Sequence, residues 1–217
     1  MKKYLLSLAI IAVSFSSFAQ TPIRKGAVLL GGNIGGGIKT TKSADTATNK
    51  EKGLNVSLVY GKAIRENLIL GFGISTWQQK YDNPISASEQ RSSSYGANVF
   101  LRKYKQLGNS GFSLFAQATF NAMYDKSNIY TENGPVRERG KGWSVNVTGY
   151  PGISYSVSKK LQLESGFVNF LSLGYARNTT TIEAPQTTQK FKTNGFSFSS
   201  SLNNISALYV GYRILLM

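Results

Sequence analysis

The sequence predicts an all-β fold, an eight-stranded antiparallel up-and-down transmembrane β-barrel preceded by a cleaved signal peptide. Three observations predict it. Apolar and polar residues alternate with period 2 from Gly26 to the end of the chain. The connections between alternating segments switch between short and long. The face opposite the apolar one is built mainly from Gly, Ser, Thr, Asn and Gln, which suits a crowded polar interior better than a solvated exterior.

The elements follow in order. Residues 1–19 read as the signal peptide: Lys2 and Lys3 form the charged start, Leu5 to Val13 the apolar run, and Ser17 and Ala19 the small residues before a cut. Residues 20–217 then form the one outer-membrane β-barrel domain. The first segment places Val28, Leu30, Ile34 and Ile38 on one face and glycines with Asn33 on the other. The second carries Leu54, Val56, Leu58 and Tyr60, and the third Leu68, Leu70, Phe72 and Ile74. The fourth carries Tyr95, Ala97, Val99 and Leu101, and the fifth Phe112, Leu114, Ala116, Ala118, Phe120 and Tyr124. The sixth runs from Trp143 to Val157 and the seventh from Leu161 to Tyr175. The last has Phe196, Phe198 and Leu202 in phase with Leu208, Val210, Tyr212, Ile214 and Leu216.

Short turns are expected near residues 63–67, 105–110 and 158–160, and long loops near 41–52, 81–92, 125–141 and 177–193. Short turns on one side and long loops on the other are the arrangement of a membrane barrel, with both termini on the periplasmic side when the strand count is even. Tyr60, Tyr95, Tyr124, Trp143, Tyr175 and Tyr212 end the apolar stripes, where aromatic girdles sit. Lys62, Lys80 and Lys103 share the apolar phase at expected strand ends, where long side chains snorkel.

Composition narrows the chemistry. The chain has 217 residues with no Cys and no His. Disulfides, thiolate nucleophiles, imidazole acid–base chemistry and Cys or His metal sites are therefore excluded. Lys and Arg number 25 against 10 Asp and Glu, a formal net charge of +15. Basic residues cluster at the expected periplasmic turns, which fits anchoring at phosphate headgroups. Nucleic-acid binding is not expected, because the aromatics are committed to the apolar stripes. The run Gly32 to Thr40 is a near miss of a phosphate-binding loop, but Ile38 separates Gly37 from Lys39 and no helical pattern follows. Its glycines instead let a strand curve inside a narrow barrel. Glu132 and Glu138 are surrounded by Arg137, Arg139 and Lys141, which reads as a solvated loop face. No catalytic, cofactor-binding or metal-binding residue is assigned, and no enzyme is expected.

Three charged residues fall in the inward phase: Arg102, Glu164 and Arg213. All lie near the periplasmic end, and the segments carrying Glu164 and Arg213 are neighbours. They are expected to form a barrel-interior ionic network, because a buried charge needs a partner. Phe100, Tyr104, Phe115, Tyr150 and Trp77 share that phase and are expected to fill the lumen.

With these features the chain resembles the small eight-stranded outer-membrane β-barrel proteins of Gram-negative bacteria, the OmpA-type and OmpX-type barrels. The resemblance covers residues from about 26 to the C-terminus. Its most specific part is a C-terminal assembly signal, whose places are filled by Tyr209, Gly211, Ile214 and Leu216. The family usually finishes on Phe, whereas this chain has Leu216 and then Met217. The resemblance implies an integral protein of the outer membrane that is exported through its signal peptide. It implies outer-membrane lipids, lipopolysaccharide and the barrel assembly machinery as partners, and a monomer. The expected role is non-enzymatic, an envelope structural or surface-interaction protein. A narrow porin-like channel or small-ligand transporter is the alternative, and a soluble periplasmic lipid-binding barrel the third reading.

Overall fold

The computed structural model describes residues 22–43, 47–83, 88–108, 110–131, 136–158, 160–167, 170–184, 187–200 and 208–216. The expected signal segment, Leu202, Glu132 and Met217 lie outside the described residues. The strands are β1 (Val28–Ser43), β2 (Ala47–Arg65), β3 (Leu68–Asn83), β4 (Ser88–Gln106), β5 (Phe112–Thr131), β6 (Val136–Ser156), β7 (Leu161–Phe167), β8 (Leu171–Ala184), β9 (Thr187–Ser200) and β10 (Leu208–Leu216).

These strands occupy eight positions in one antiparallel wall. From β1 to β6 each strand pairs with the next. β6 then pairs with β7 through Gly152–Ser156 and with β8 through Glu138–Gly149. β7 and β8 therefore share the seventh position. β9 pairs with β8 and β10 with β7, so these two share the eighth. The seventh strand, expected to be continuous, is interrupted between Phe167 and Leu171. The interruption faces the stretch of β6 that holds Pro151, which has no N–H to give to a ladder.

The ring closes by pairing Val28, Leu29 and Leu30 with Leu216, Leu215 and Ile214. Among the described residues, β1 beyond Leu30 pairs only with β2, and β9 pairs only with β8.

The long connections are much shorter than the sequence pattern suggests. The segments 41–52, 81–92, 125–141 and 177–193 are mostly strand, and ladders run without a break to Ser43–Ala47, Asn83–Ser88 and Ala184–Thr187. The β5–β6 ladder also reaches Tyr130 and Val136, with one irregularity at Ile129. The short turns lie where expected. In the β2–β3 turn Asn67 adopts φ +56°, a left-handed conformation that Asn tolerates better than most residues.

Polarity is inverted relative to a soluble barrel. Leu58, Phe72, Ile74, Val99, Phe120, Val147, Leu173 and Phe198 are all exposed on the outer face. On the inner face Asn33 Oδ1 accepts from Asn55 and Ser57, and Asn146 Oδ1 accepts from Asn121. The apolar belt on β5 runs from Leu114 to Tyr124. That is about 33 Å of strand at ~3.3 Å per residue, or about 25 Å of height at a tilt of ~40°, the thickness a membrane barrel needs.

Candidate functional site: the sealed end of the lumen

The periplasmic end of the barrel is filled. Ile23, Ala27, Leu29, Ala63, Ile69, Phe100, Tyr104, Phe115 and Leu215 form one buried apolar cluster. The segment Ile23–Ala27 folds across this end and is clasped to the turns. The Ile23 amide donates to Asn67 Oδ1 at 3.1 Å, and the Asn67 amide donates back to the Ile23 carbonyl at 3.0 Å. The Gly26 amide donates to the Ala63 carbonyl and the Ala63 amide to the Ala27 carbonyl, each at 2.8 Å.

Glycines make room for the rings. Gly71 faces inward beside Phe100, and a methyl group there would overlap the Phe100 ring. Gly152 stands in the same relation to Phe115. A narrow barrel holds large rings only where the facing strand has no side chain.

Above this cluster lie the three inward charges. Arg102 Nη1 donates to Glu164 Oε2 at 2.5 Å, and Arg213 Nε donates to Glu164 Oε1 at 2.8 Å. The side chains of Arg102 and Glu164 are each 1% exposed, and that of Arg213 is 16% exposed. The register explains part of this: Gly211 stands opposite Glu164 on β10, so Arg213 lies two residues further along on the same face. Arg102 reaches Glu164 across the lumen.

Arg102 has further partners that sequence reasoning did not find. Its Nε donates to Gln117 Oε1 at 2.6 Å, its Nη1 to the Tyr104 hydroxyl at 3.2 Å, and its Nη2 to the Tyr150 hydroxyl at 3.4 Å. The guanidinium also stacks over Phe115, 4.3 Å from the ring centroid. One of these was readable, because the β4–β5 register places Gln117 directly opposite Arg102. A buried ion pair is retained only when its remaining donors and acceptors are satisfied, and these contacts do that for Arg102.

Outward of the ionic cluster the lumen opens into a cavity of about 230 Å³. Arg102 and Arg213 form part of its lining, together with Asn98, Gln117, Thr119, Asn121, Thr148 and Tyr150. Leu29, Val59 and Phe100 supply the apolar part. Trp77, expected to help fill the lumen, instead sits 38% exposed at the outer mouth.

The other expected features fall as follows. Tyr95, Tyr124, Trp143 and Tyr175 lie on consecutive strands at the outer edge of the apolar belt. Tyr95 is directly opposite Tyr124, Tyr124 opposite Trp143, and Tyr175 contacts both Trp143 and Phe196. Tyr60 and Tyr212 mark the inner edge. Lys80 is not at a strand end: it lies within β3 beyond the belt, bound to Glu89 at 2.7 Å and Asp82 at 3.3 Å. Tyr209, Gly211, Ile214 and Leu216 all lie on β10, with Ile214 and Leu216 exposed on the outer face. The glycine run from Gly32 to Thr40 is strand β1, with no helix behind it.

An apolar outer belt, an aromatic ring at each rim and a polar interior are the properties of a wall in contact with lipid. The chain is an eight-stranded transmembrane β-barrel. No protein-family model matches the sequence, and no curated protein matches it. In shape the chain is similar to a major outer membrane protein from Thermus thermophilus, at 8% identity and TM-score 0.49, covering 88% of this chain and 99% of that one. It is also similar to the outer membrane protein OprG from Pseudomonas aeruginosa, at 12% identity and TM-score 0.47, covering 89% and 97%. A third similarity is to Neisserial surface protein A, at 16% identity and TM-score 0.33, covering 87% and 95%. The membrane assignment rests on the polarity of the wall itself.

Proposed function

We propose that this barrel is a non-enzymatic, monomeric component of the outer membrane that serves as an envelope structural or surface-interaction protein and does not conduct. The observation that carries this reading is the sealed periplasmic end. Solutes entering from outside meet the Arg102–Glu164–Arg213 cluster and then the apolar cluster with the Ile23–Ala27 segment folded across it. Passage requires separating a buried carboxylate from two guanidiniums and removing packed rings. Eight strands enclose an interior that side chains fill.

On the outer side, strands continue for about seven residues past Tyr124 on β5 and about nine past Tyr175 on β8, roughly 20–30 Å of wall beyond the belt. That wall carries Lys39, Lys50, Lys52, Lys126, Arg137, Arg139, Lys141, Lys190 and Lys192. Such a basic rim suits the phosphates of lipopolysaccharide. The Tyr209, Gly211, Ile214 and Leu216 pattern on β10 is proposed as the signal read by the barrel assembly machinery. Removal of residues 1–19 as a signal peptide belongs to the same reading.

Planar-bilayer recording of the purified protein tests the proposal. The expected result is a silent membrane. Open steps of nanosiemens order would overturn it in favour of the channel reading. Membrane fractionation tests the third reading: extraction by carbonate would mark a soluble lipid-binding barrel, and the exposed apolar belt supports retention in the membrane.

A further inference from the structure

The cluster at the base of the lumen is charge-imbalanced. Two guanidiniums share one carboxylate, Glu164, which uses one oxygen on each. Arg102 is enclosed by Gln117, Tyr104, Tyr150 and Phe115 and is 1% exposed. Arg213 is different. It donates through Nε to Glu164, its guanidinium lines the cavity, and its Nη atoms have no hydrogen-bond partner among the described residues. Gly31 is what lets it lie there, since a side chain on Gly31 would occupy the space of the guanidinium. Among the described residues no carboxylate lines the cavity, whose polar groups are hydroxyls and amides besides the two guanidiniums. Asp125 and Glu51, inward-facing acids further out along the wall, do not line this cavity and take hydrogen bonds from Ser94 and Gln79. An excess positive charge held in a narrow lumen, largely withdrawn from water, favours a counter-charge and hydrogen bonds that reach it.

We propose that this cavity is a binding site for a small oxyanion of the phosphate class, held by the Nη donors of Arg213. The hydroxyls of Thr148, Thr119 and Tyr150 and the amide of Asn98 line the same space and supply neutral donors. A volume of about 230 Å³ accommodates a phosphate with a few waters and excludes a lipid. Planar guanidinium donors match two oxygens of such an anion at once. The anion enters from outside and goes no further, so the site is a dead-end pocket compatible with a silent barrel.

The test uses the purified full barrel in a phosphate-free detergent. Thermal unfolding and calorimetric titration are followed with inorganic phosphate, against chloride at matched ionic strength. Phosphate is expected to raise the unfolding temperature in a saturating manner and chloride is not. Arg213→Gln removes the excess charge and the donors, and is expected to weaken phosphate binding about ten- to a hundredfold. Glu164→Gln leaves two uncompensated guanidiniums and is expected to strengthen it, although it destabilises the unliganded barrel. Opposite signs from two variants of one cluster separate a binding role from a purely structural one. Gly31→Ala, which displaces Arg213 while keeping every charge, is expected to weaken binding and covers the case in which Glu164→Gln fails to fold. Equal stabilisation by phosphate and chloride, or retention of phosphate binding in Arg213→Gln, would overturn the proposal.

Discussion

Replacing Glu164 by Gln is the sharpest probe of the sealed end. The carboxylate is 1% exposed and bonds Arg102 at 2.5 Å and Arg213 at 2.8 Å. Removing one partner of a buried ion pair leaves the others uncompensated, at a cost of about 3–5 kcal/mol. Gln preserves the shape and one oxygen acceptor, so the lower end, about 3 kcal/mol, is expected. The control is Glu183→Gln. Glu183 bonds Arg139 at 3.2 Å with the two side chains 40% and 53% exposed, and an exposed pair is worth under about 1 kcal/mol. The assay is the temperature at which the folded, fast-migrating band converts to the unfolded band on a gel, together with urea unfolding in lipid vesicles. The Glu164 variant should fall well below wild type and the Glu183 variant should overlay it. Combining Glu164→Gln with Arg213→Gln should cost less than the two changes added, because the second removes a charge that the first orphans. Equal shifts for the two single variants would refute the reasoning.

Three further outcomes are expected. Gly71→Val overlaps the Phe100 ring and should lower stability by about 1–3 kcal/mol, read from the urea midpoint, with Phe100→Leu recovering part of the loss. Asn67→Ala should cost about 2 kcal/mol, through the left-handed backbone and the lost clasp on Ile23, while Asn67→Gly restores only the backbone share. On the wall beyond the membrane, the hydrogen bonds from Lys80 and then Arg91 hold the Glu89 carboxyl below the usual carboxylate range. The bracing between β3 and β4 is therefore full above that range and is lost as pH falls through the lowered value. Amide protection factors at the outer ends of β3 and β4, corrected for the slower intrinsic exchange in acid, should fall on that descent, and Glu89→Gln should show the lowered protection at every pH.

Much of this structure is legible in the sequence because alternation reports which face of a strand meets lipid. Leu54 to Tyr60, Leu68 to Ile74 and Leu114 to Tyr124 carry that contrast, so their strands and the inward phase of Arg102, Glu164 and Arg213 can be read directly. Beyond the girdle both faces are wet, so the contrast vanishes while the hydrogen-bond ladder continues. For that reason segments 81–92 and 125–141 resemble loops in sequence and are largely strand in structure. The division of this position between β7 and β8 was hidden because Leu161, Leu163 and Phe167 on one side keep the same apolar phase as Leu171, Leu173 and Tyr175 on the other. For the site, depth and phase bring Arg102 toward Glu164, but the enclosure of Arg102 by Tyr104 and Tyr150 depends on ring placement across a curved lumen, which no linear pattern encodes.

The narrow junction between β1 and β10 bears on the order in which the wall forms. Every other junction joins strands closer together along the chain, whereas this one unites Val28–Leu30 with Ile214–Leu216, the most widely separated partners in the wall. Its loop-closure entropy is the largest in the molecule and its ladder among the shortest, so it forms last and opens first. Until it forms, the chain is an open sheet with two bare edges, one of them the glycine-rich β1 whose register is weakly specified. β10 is thus the strand that turns an aggregation-prone sheet into a barrel, and a chain truncated before Leu208 keeps both edges and should accumulate as insoluble material.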